Sequence, residues 1–454
     1  MHSTEALASF AARLDSKSLP AEVVHAARRA VLDCLGVTLA GAGEDASRLV
    51  VDQVLSQGGV PESTLLVHGG RTSAQNAALA NGTASHVLDY DDTNRSMPGH
   101  PSVPILPAAL ALGERLGASG AEVLAAFVVG VEVECKLGKF TGREPYDKGW
   151  HVTSTLGVVG AAAAAGHLLR LDVPTMQHAL GIAVSEAAGV RQNFGTMAKS
   201  LHVGRAAQGG VFAAEMAARG FTASRQAIEG PAGFWDVFEG PVTRDGASLA
   251  AALGQPFEVV SPGIDFKAYP CCASTHPSID AALQAGGGQP EDRIDRVRVE
   301  VPYSAPLMLI HHRPTVPLAA KFSLEYCVAA ALVDGRVGLT HFTQESVDRS
   351  DLQSLLRRVE YRVPEEWQKR TGHDPGPWAR IEVRLRDGSV LRGETTVPRG
   401  NASNPLGDEE LEAKFLECAG LGLGNDRALT ALDLIRRFEQ LGDVRELTEK
   451  LVAN

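Results

Sequence analysis

Aromatic residues make up only 5% of the 454-residue chain, so a sandwich of sheets rich in aromatic side chains is not expected. Acidic residues outnumber basic ones, and the formal net charge is −11. Nucleic-acid-binding proteins usually carry a cluster of Lys and Arg on one face, and this sequence has no such cluster. Because a negative surface does not attract anions from a distance, any anion site must be a local pocket with its own cations.

The six cysteines never form a C-x-x-C pair, so their spacing carries no zinc or iron–sulfur signature. Scattered thiols are typical of a reducing compartment, and we expect the cytoplasm. The first 19 residues lack the basic and then apolar pattern of a secretion signal. The most apolar stretches, 123–133 and 156–169, are shorter than a membrane span and are predicted to be buried helices. We therefore expect neither a membrane nor a nucleic acid as a partner.

Several common catalytic motifs are also missing from the sequence. It contains no G-x-G-x-x-G, no P-loop, no G-x-S-x-G elbow and no H-E-x-x-H. Redox cofactors, nucleotides and the usual hydrolase templates are therefore disfavoured, and we expect neither a cofactor nor a metal. Histidines, lysines and carboxylates remain, and these groups transfer protons and hold anionic substrates.

The length of the chain favours two domains. Residues 1–263 are predicted to be helical, with apolar residues at helical spacing and a capping box at Ser119. Residues 264–398 mix helices with strand-like alternation at 297–301 and 381–386, and Asp387-Gly388 predicts a hairpin turn. Residues 399–454 are helical again. The expected fold class is mostly α, with a helical domain completed by the C-terminal segment and a smaller α+β domain.

The densest group of polar residues runs from His86 to Ser102 and contains three carboxylates and two histidines. The spacing of His86 and Asp89 predicts that both side chains share one helical face. Pro and Gly after Asp92 predict a loop, where catalytic groups are common. A solvated helix end and a site for a hard metal are the alternatives, although the glycine and distal glutamate of an EF-hand are missing.

A second group, W-H-V-T-S at 150–154, precedes an apolar helix. Thr153 or Ser154 is expected to cap that helix. His151 would then lie at the positive end of the helix, which lowers the pKa of an imidazole. The alternative is a histidine of the capping region without a functional role.

Two further groups combine basic residues with turns. The third, at 195–205, has Lys199 and His202 in a turn bounded by glycine, where backbone N–H groups and cations suit a carboxylate or a phosphate. A lysine in a loop is usually exposed, however, so this group by itself is weak evidence. The fourth, at 266–276, offers Lys267 and His276 at the inferred domain junction, a common place for ligand sites.

Together these segments resemble the MmgE/PrpD family, which includes 2-methylcitrate dehydratase, cis-aconitate decarboxylase and an iminodisuccinate epimerase. The resemblance begins with H-V-L-D-Y-D-D-T followed by G-H-P-S. Further motifs follow in the family's order: G-W-H-V-T, G-T-M-A-K-S-L-H-V-G-R-A-A, F-K-A-Y-P-C-C-A-S-T-H and A-K-F-S-L-E-Y. The resemblance covers essentially the whole chain. It is specific for the family and much less specific for the reaction.

The resemblance implies a large all-helical domain formed by both chain ends plus a smaller α+β lid domain, with the active site in the cleft between them. It also implies a homodimer that needs no metal or organic cofactor. By motif, the positions that the family uses in its pocket correspond to Asp89, Thr93, His100, His151, Lys199, Lys267 and Tyr326.

The family's reactions develop negative charge on a carbon next to a carboxylate, so they need proton-transfer groups and cations. We interpret His100 as the principal acid/base and His151 as its partner. Lys199 and Lys267 are expected to hold carboxylates and to offset the developing charge. The residues expected to bind or orient the substrate are Asp89, Thr93, Arg95, His202, His276 and Tyr326.

The loop 94–99 departs from the family pattern, because Asn94 stands where several members have Trp, and Arg95 adds a cation. We expect this loop to carry substrate specificity. The predicted function is a cofactor-independent lyase, a dehydratase or hydratase of a small citrate-like polycarboxylate. An epimerase or isomerase, a decarboxylase of a related di- or tricarboxylate, and a non-catalytic binding protein are the alternatives.

Overall fold

The computed structural model describes residues 2–240, 245–368 and 378–453. The chain forms two compact units. The first contains the chain up to Gln192, Ala198–Asp265 and the chain from Gly407 onward, and the second contains Asn193–Met197 and Phe266–Leu406. Both chain ends thus contribute to the first unit. The predicted fold class, mostly α with a smaller α+β region, is confirmed.

The first unit is built from helices and one short pair of strands, β1 Ser63–Thr64 and β2 Arg71–Thr72. Up to residue 265 its helices are α1 Ser3–Arg13, α2 Ala21–Gly41, α3 Asp45–Gln57, α4 Ala74–His86, α5 Ser102–Leu116, α6 Gly120–Thr141, α7 Glu144–Asp147, α8 Val152–Thr155, α9 Gly157–Leu168, α10 Val173–Ser185, α11 Ala198–Ala218, α12 Phe234–Phe238 and α13 Gly246–Ala252. The predicted capping box at Ser119 is confirmed, because Ser119 and Glu122 each bond the other's backbone N–H.

Small residues decide how closely the helices of the first unit approach one another. A Cβ on Gly82 of α4 would lie 3.0 Å from Cα of Gly204 on α11. A Cβ on Gly210 of α11 would lie only 2.3 Å from Cβ of Ala161 on α9. Side chains larger than glycine would therefore separate these helices. This close packing brings the C-terminal end of α4 next to the first turn of α11.

The second unit holds a four-stranded sheet in the order β4-β3-β5-β6. Its strands are β3 Ile294–Glu300, β4 Val359–Arg362, β5 Ala379–Leu385 and β6 Val390–Thr395. The β3–β4 pair is parallel and the other two pairs are antiparallel. Buried and more exposed residues alternate along β5, as its sequence predicts, and the hairpin at Asp387-Gly388 is confirmed.

The helices of the second unit are α14 His276–Gln284, α15 Ala305–Met308, α16 Pro317–Ala320, α17 Leu324–Asp334, α18 Gln344–Val347 and α19 Ser350–Leu355. The C-terminal segment then adds α20 Asp408–Leu423, α21 Asn425–Arg436 and α22 Arg445–Thr448 to the first unit. Over the described residues, none of the helices combines the length and the apolar character needed to cross a membrane.

Candidate active site

The first unit brings Lys199, at the start of α11, against the polar group that follows α4. Lys199 Nζ lies 2.8 Å from Nε2 of His86 and donates to Oδ1 of Asp89 at 2.7 Å. The lysine is only 5% exposed, so the usual solvated position of a loop lysine does not apply here. An ammonium group has three N–H donors, and these two contacts set the direction of the third.

The predicted shared helical face of His86 and Asp89 is wrong. Helix α4 ends at His86, and Asp89 adopts a left-handed backbone conformation with φ of 53°. Aspartate is one of the few residues besides glycine that adopt this conformation with some frequency. The two side chains nevertheless meet at Lys199, which both of them contact, although His86 ends a helix and Asp89 has a left-handed backbone.

A single carboxylate oxygen joins two histidines. Oδ2 of Asp91 lies 2.8 Å from Nδ1 of His86 and 2.8 Å from Nδ1 of His100. Burial by itself would raise the pKa of Asp91, but the two imidazoles outweigh burial and hold this pKa well below its usual value. Burial, together with the charge of Lys199, lowers the pKa of His86 to about 3 although Asp91 opposes the shift. His86 is therefore neutral near pH 7, and Asp91 is ionised.

His151 and His202 form a second imidazole pair, with their Nδ1 atoms 3.0 Å apart. One of the two nitrogens must donate and the other accept, which requires at least one neutral ring. Burial and then the positive charge of Lys199 lower the pKa of both histidines. His86 connects this pair to His100, since its ring stacks on His151 and meets the edge of His100.

The prediction that Thr153 or Ser154 caps the following helix is wrong. His151 occupies the N-cap position of α8, which has no side-chain cap. Ser154 Oγ instead donates to the backbone oxygen of His202, and Thr153 Oγ1 accepts from the backbone N–H of His100 at 3.3 Å. The low pKa expected for His151 is present, but its main cause is burial rather than the end of a helix.

The loop that carries His100 is held by backbone contacts and by one glycine. Thr93 forms two backbone hydrogen bonds with Asp265, each 2.9 Å long. A Cβ on Gly99 would lie 3.1 Å from the backbone nitrogen of Thr153 and 2.6 Å from the end of Met97. The absence of a side chain at Gly99 therefore lets His100 approach α8.

Within this loop Asn94 has a structural role. It is 3% exposed, and its side-chain nitrogen donates to the backbone oxygen of Gly263 at 3.1 Å. Arg95 is partly exposed, and its Nε lies 3.7 Å from Oδ2 of Asp265. If this loop carries substrate specificity, Arg95 is the better candidate than Asn94. The role of the loop in specificity stays a prediction.

The donor atoms of His86, Asp89, Asp91 and His100 lie within 4.8 Å of one another, and such a set is able to hold a transition metal. The geometry does not fit this use. The ammonium of Lys199 lies between His86 and Asp89, and Asp91 already faces two imidazoles through one oxygen. A protonated lysine in that position repels a second cation.

Three of the predicted site residues belong to the second unit. Lys267 is 3% exposed, and His276 begins α14 with Nε2 lying 3.3 Å from the backbone oxygen of Cys271. Tyr326 lies fully buried on α17, where its hydroxyl donates to the backbone oxygen of His341 at 2.5 Å. Their participation in the site stays a prediction that rests on the motifs.

Sequence reasoning assigned no role to His86, Asp91 or Asp92, although all three lie in the first motif. The signal available in the sequence was the adjacent pair Asp91-Asp92. Aspartates are rarely buried unless they have partners, so two of them side by side in a motif with histidines indicate specific contacts. Asp92 is 1% exposed and accepts from the N–H and the hydroxyl of Ser102, where α5 begins. Burial, and then the charge of Asp33, raise the pKa of Asp92 to about 8.

Comparison with known proteins identifies the family of the chain. The chain matches the MmgE/PrpD N-terminal domain over residues 5–245 and the MmgE/PrpD C-terminal domain over residues 269–440. It therefore belongs to the MmgE/PrpD family, as its motifs indicate.

The chain is also similar to curated enzymes along nearly its whole length. Cis-aconitate decarboxylase of Homo sapiens is 30% identical over 474 residues, covering 99% of this chain and 94% of that protein. The Mus musculus enzyme of the same name is 29% identical over 470 residues, covering 99% of this chain and 93% of that protein. The Aspergillus terreus enzyme of the same name is 26% identical, covering 99% and 95%.

Proposed function

We propose that this chain is a lyase of a small citrate-like polycarboxylate, and that it decarboxylates cis-aconitate or a close analogue. The observation that carries this proposal is the buried cluster of Lys199, Asp91 and His100, which supplies a cation and a proton-transfer group side by side. The similarity to cis-aconitate decarboxylases over 99% of the chain supports the choice of reaction.

Decarboxylation breaks a carbon–carbon bond and leaves its electron pair on carbon. In an unsaturated tricarboxylate that pair moves into the neighbouring double bond and the carboxylate conjugated with it. A proton must then be added to carbon. In this proposal His100 delivers the proton from Nε2, because Asp91 faces its Nδ1 and stabilises the protonated ring. Its side chain is 13% exposed, so solvent is able to restore the proton.

The negative charge that develops during this step needs a fixed positive partner. Lys199 is held in place by His86 and Asp89, so it requires little reorganisation when the charge appears. The net charge of the chain is −11, which gives no long-range attraction for a tricarboxylate. Local cations such as Lys199 must therefore supply the binding energy for the carboxylates.

Dehydration or hydration of a citrate-like acid is the second candidate. It requires one group that takes a proton from carbon and another that protonates the leaving hydroxyl. The neutral pair of His151 and His202 provides imidazoles in addition to His100, all within one buried cluster. This observation keeps the hydro-lyase reaction predicted from the sequence as an alternative to decarboxylation.

Incubation with a panel of di- and tricarboxylates in D₂O tests the proposal. Decarboxylation releases CO₂ and places one deuterium on a product carbon, whereas hydration or dehydration changes the alkene absorbance without CO₂. Epimerisation exchanges a carbon-bound proton and leaves the carbon skeleton intact. The proposal expects CO₂ release with cis-aconitate. If no acid in the panel gives CO₂, a change in alkene absorbance or carbon-bound deuterium, the proposal is contradicted.

A further inference from the structure

Three short contacts connect the buried cation with the proposed proton donor. Lys199 Nζ lies 2.8 Å from Nε2 of His86, and Nδ1 of His86 lies 2.8 Å from Oδ2 of Asp91. The same oxygen lies 2.8 Å from Nδ1 of His100. The side chain of His86 is 0% exposed and that of Asp91 is 1% exposed, so water does not compete for the central contacts.

The donors and acceptors in this series follow from elementary valence. A protonated lysine only donates, so Nε2 of His86 must accept. A neutral imidazole carries one N–H, which is then on Nδ1 and points to the carboxylate of Asp91. His86 is engaged through both of its nitrogens and cannot exchange protons with a substrate. The depressed pKa of His86 agrees with a neutral ring.

We propose that His86 and Asp91 are positioning residues that link Lys199 to His100. His86 fixes the direction of the Lys199 ammonium, and Asp91 fixes His100 in the form that carries its proton on Nδ1. Nε2 of His100 is then the nitrogen that exchanges a proton with the substrate. This inference rests on the proposed function, and it adds roles for two residues to that function.

Two substitutions of His86 separate its two contacts. The side-chain nitrogen of Asn takes the place of Nδ1, so His86→Asn keeps the donor to Asp91 and loses the acceptor for Lys199. The side-chain oxygen of Gln takes the place of Nε2, so His86→Gln keeps the acceptor and loses the donor. A histidine that merely fills space would not distinguish the two variants. His178→Asn and His178→Gln are matched controls, because Nδ1 of His178 contacts a backbone oxygen and a backbone nitrogen, both of Ala223, and lies outside the proposed site.

The proposal predicts different kinetic effects for the two variants. His86→Asn should lower kcat/KM by about 10–100-fold through a higher KM and a lower kcat, because the cation that holds a carboxylate and offsets the developing charge is misdirected. His86→Gln should leave KM within about threefold and shift the alkaline limb of the kcat profile, where His100 loses its proton, to higher pH. The reason is that Asp91 then acts on His100 with no competing donor. Equal losses in both variants, without a shift in the pH profile, would overturn the proposal.

A measurement on the wild-type chain is independent of turnover. Nitrogen NMR of protein labelled with ¹⁵N-histidine distinguishes the two neutral forms of each ring, and the His86 and His100 signals are assigned by their loss in His86→Asn and His100→Ala. The proposal expects His86 to be neutral with its proton on Nδ1 at pH 7. A proton on Nε2 of His86, or a charged ring, would overturn it. If the labelled protein shows the expected form but turns over no acid in the panel, the proposed function fails and the hydrogen-bond assignment stands.

Discussion

Lys199 Nζ and Asp89 Oδ1 lie 2.7 Å apart, and both side chains are less than a tenth exposed. This ion pair is formed by an aspartate in a left-handed backbone conformation and by a lysine at the start of a helix. Local backbone strain of this kind often accompanies functional sites. The pair neutralises a buried charge and also places a cation beside His86.

Removing either partner of this pair should destabilise the protein. Asp89→Asn, which tolerates the left-handed backbone, and Lys199→Met should each lower the free energy of unfolding by about 3–5 kcal/mol, because a buried charge is left without its partner. The double variant should lose clearly less than the sum of the single losses. Chemical denaturation of the four proteins measures the coupling. Losses that simply add would mean that the two groups do not interact in solution.

The buried carboxyl of Asp92 should make stability depend on pH. Burial raises the pKa of Asp92 from 3.8 to about 8, so the native state keeps a proton that the unfolded chain releases. The stabilising contribution of this group is therefore complete below pH 3.8 and is lost as pH rises toward 8. Asp92→Asn resembles the protonated acid and cannot ionise.

Unfolding measurements over this pH range test the effect of Asp92. The stability of the wild type relative to Asp92→Asn should fall by roughly 1 kcal/mol per pH unit between pH 4 and pH 8. Parallel stability curves for the two proteins would show that Asp92 has an ordinary pKa. Asp15→Asn is a suitable control, because Asp15 is an exposed aspartate whose carboxylate accepts from the backbone N–H of Lys17.

A methyl group on Gly99 should disturb catalysis more than folding. The added Cβ would meet the backbone nitrogen of Thr153 at 3.1 Å, so the loop that carries His100 must move by a few tenths of an ångström. A displacement of this size at a proton-transfer group lowers kcat. It opens no cavity in the hydrophobic core, so stability changes less than activity. Gly99→Ala is therefore expected to reduce kcat by about tenfold or more.

Gly43→Ala is the control, since its added Cβ has only a backbone oxygen at 4.0 Å. Equal activity of the two variants would contradict the role given to this close approach.

The sequence was sufficient to predict the fold class and to identify the motifs whose residues meet in the first unit. Periodicity reports burial along one element, so it predicted the alternation in β5 and the helical character of both chain ends. Family motifs identified Lys199 and His100 before any contact was visible. These predictions depend on local pattern or on resemblance, and both are readable from one chain.

The contacts inside the cluster were not readable from the sequence. His86 and Lys199 are 113 positions apart, and their meeting depends on the approach of Gly82 to Gly204. The left-handed conformation of Asp89 has no local signal such as glycine. Thr153 was expected to cap a helix, but it accepts from the backbone N–H of His100 instead. Tertiary packing decides such hydrogen bonds, and one sequence does not report it.

The role of His100 is the centre of the proposed chemistry, and one comparison tests it most directly. The wild type and His100→Ala are incubated with cis-aconitate in D₂O, and CO₂ release and carbon-bound deuterium are measured together. His25→Ala, at a histidine whose side chain is 48% exposed, serves as the control. We predict CO₂ release with one deuterium per product for the wild type and the control, and a rate lower by about 10²–10⁴ for His100→Ala. Turnover by His100→Ala within about tenfold of the wild type would contradict the assignment of His100 as the proton donor.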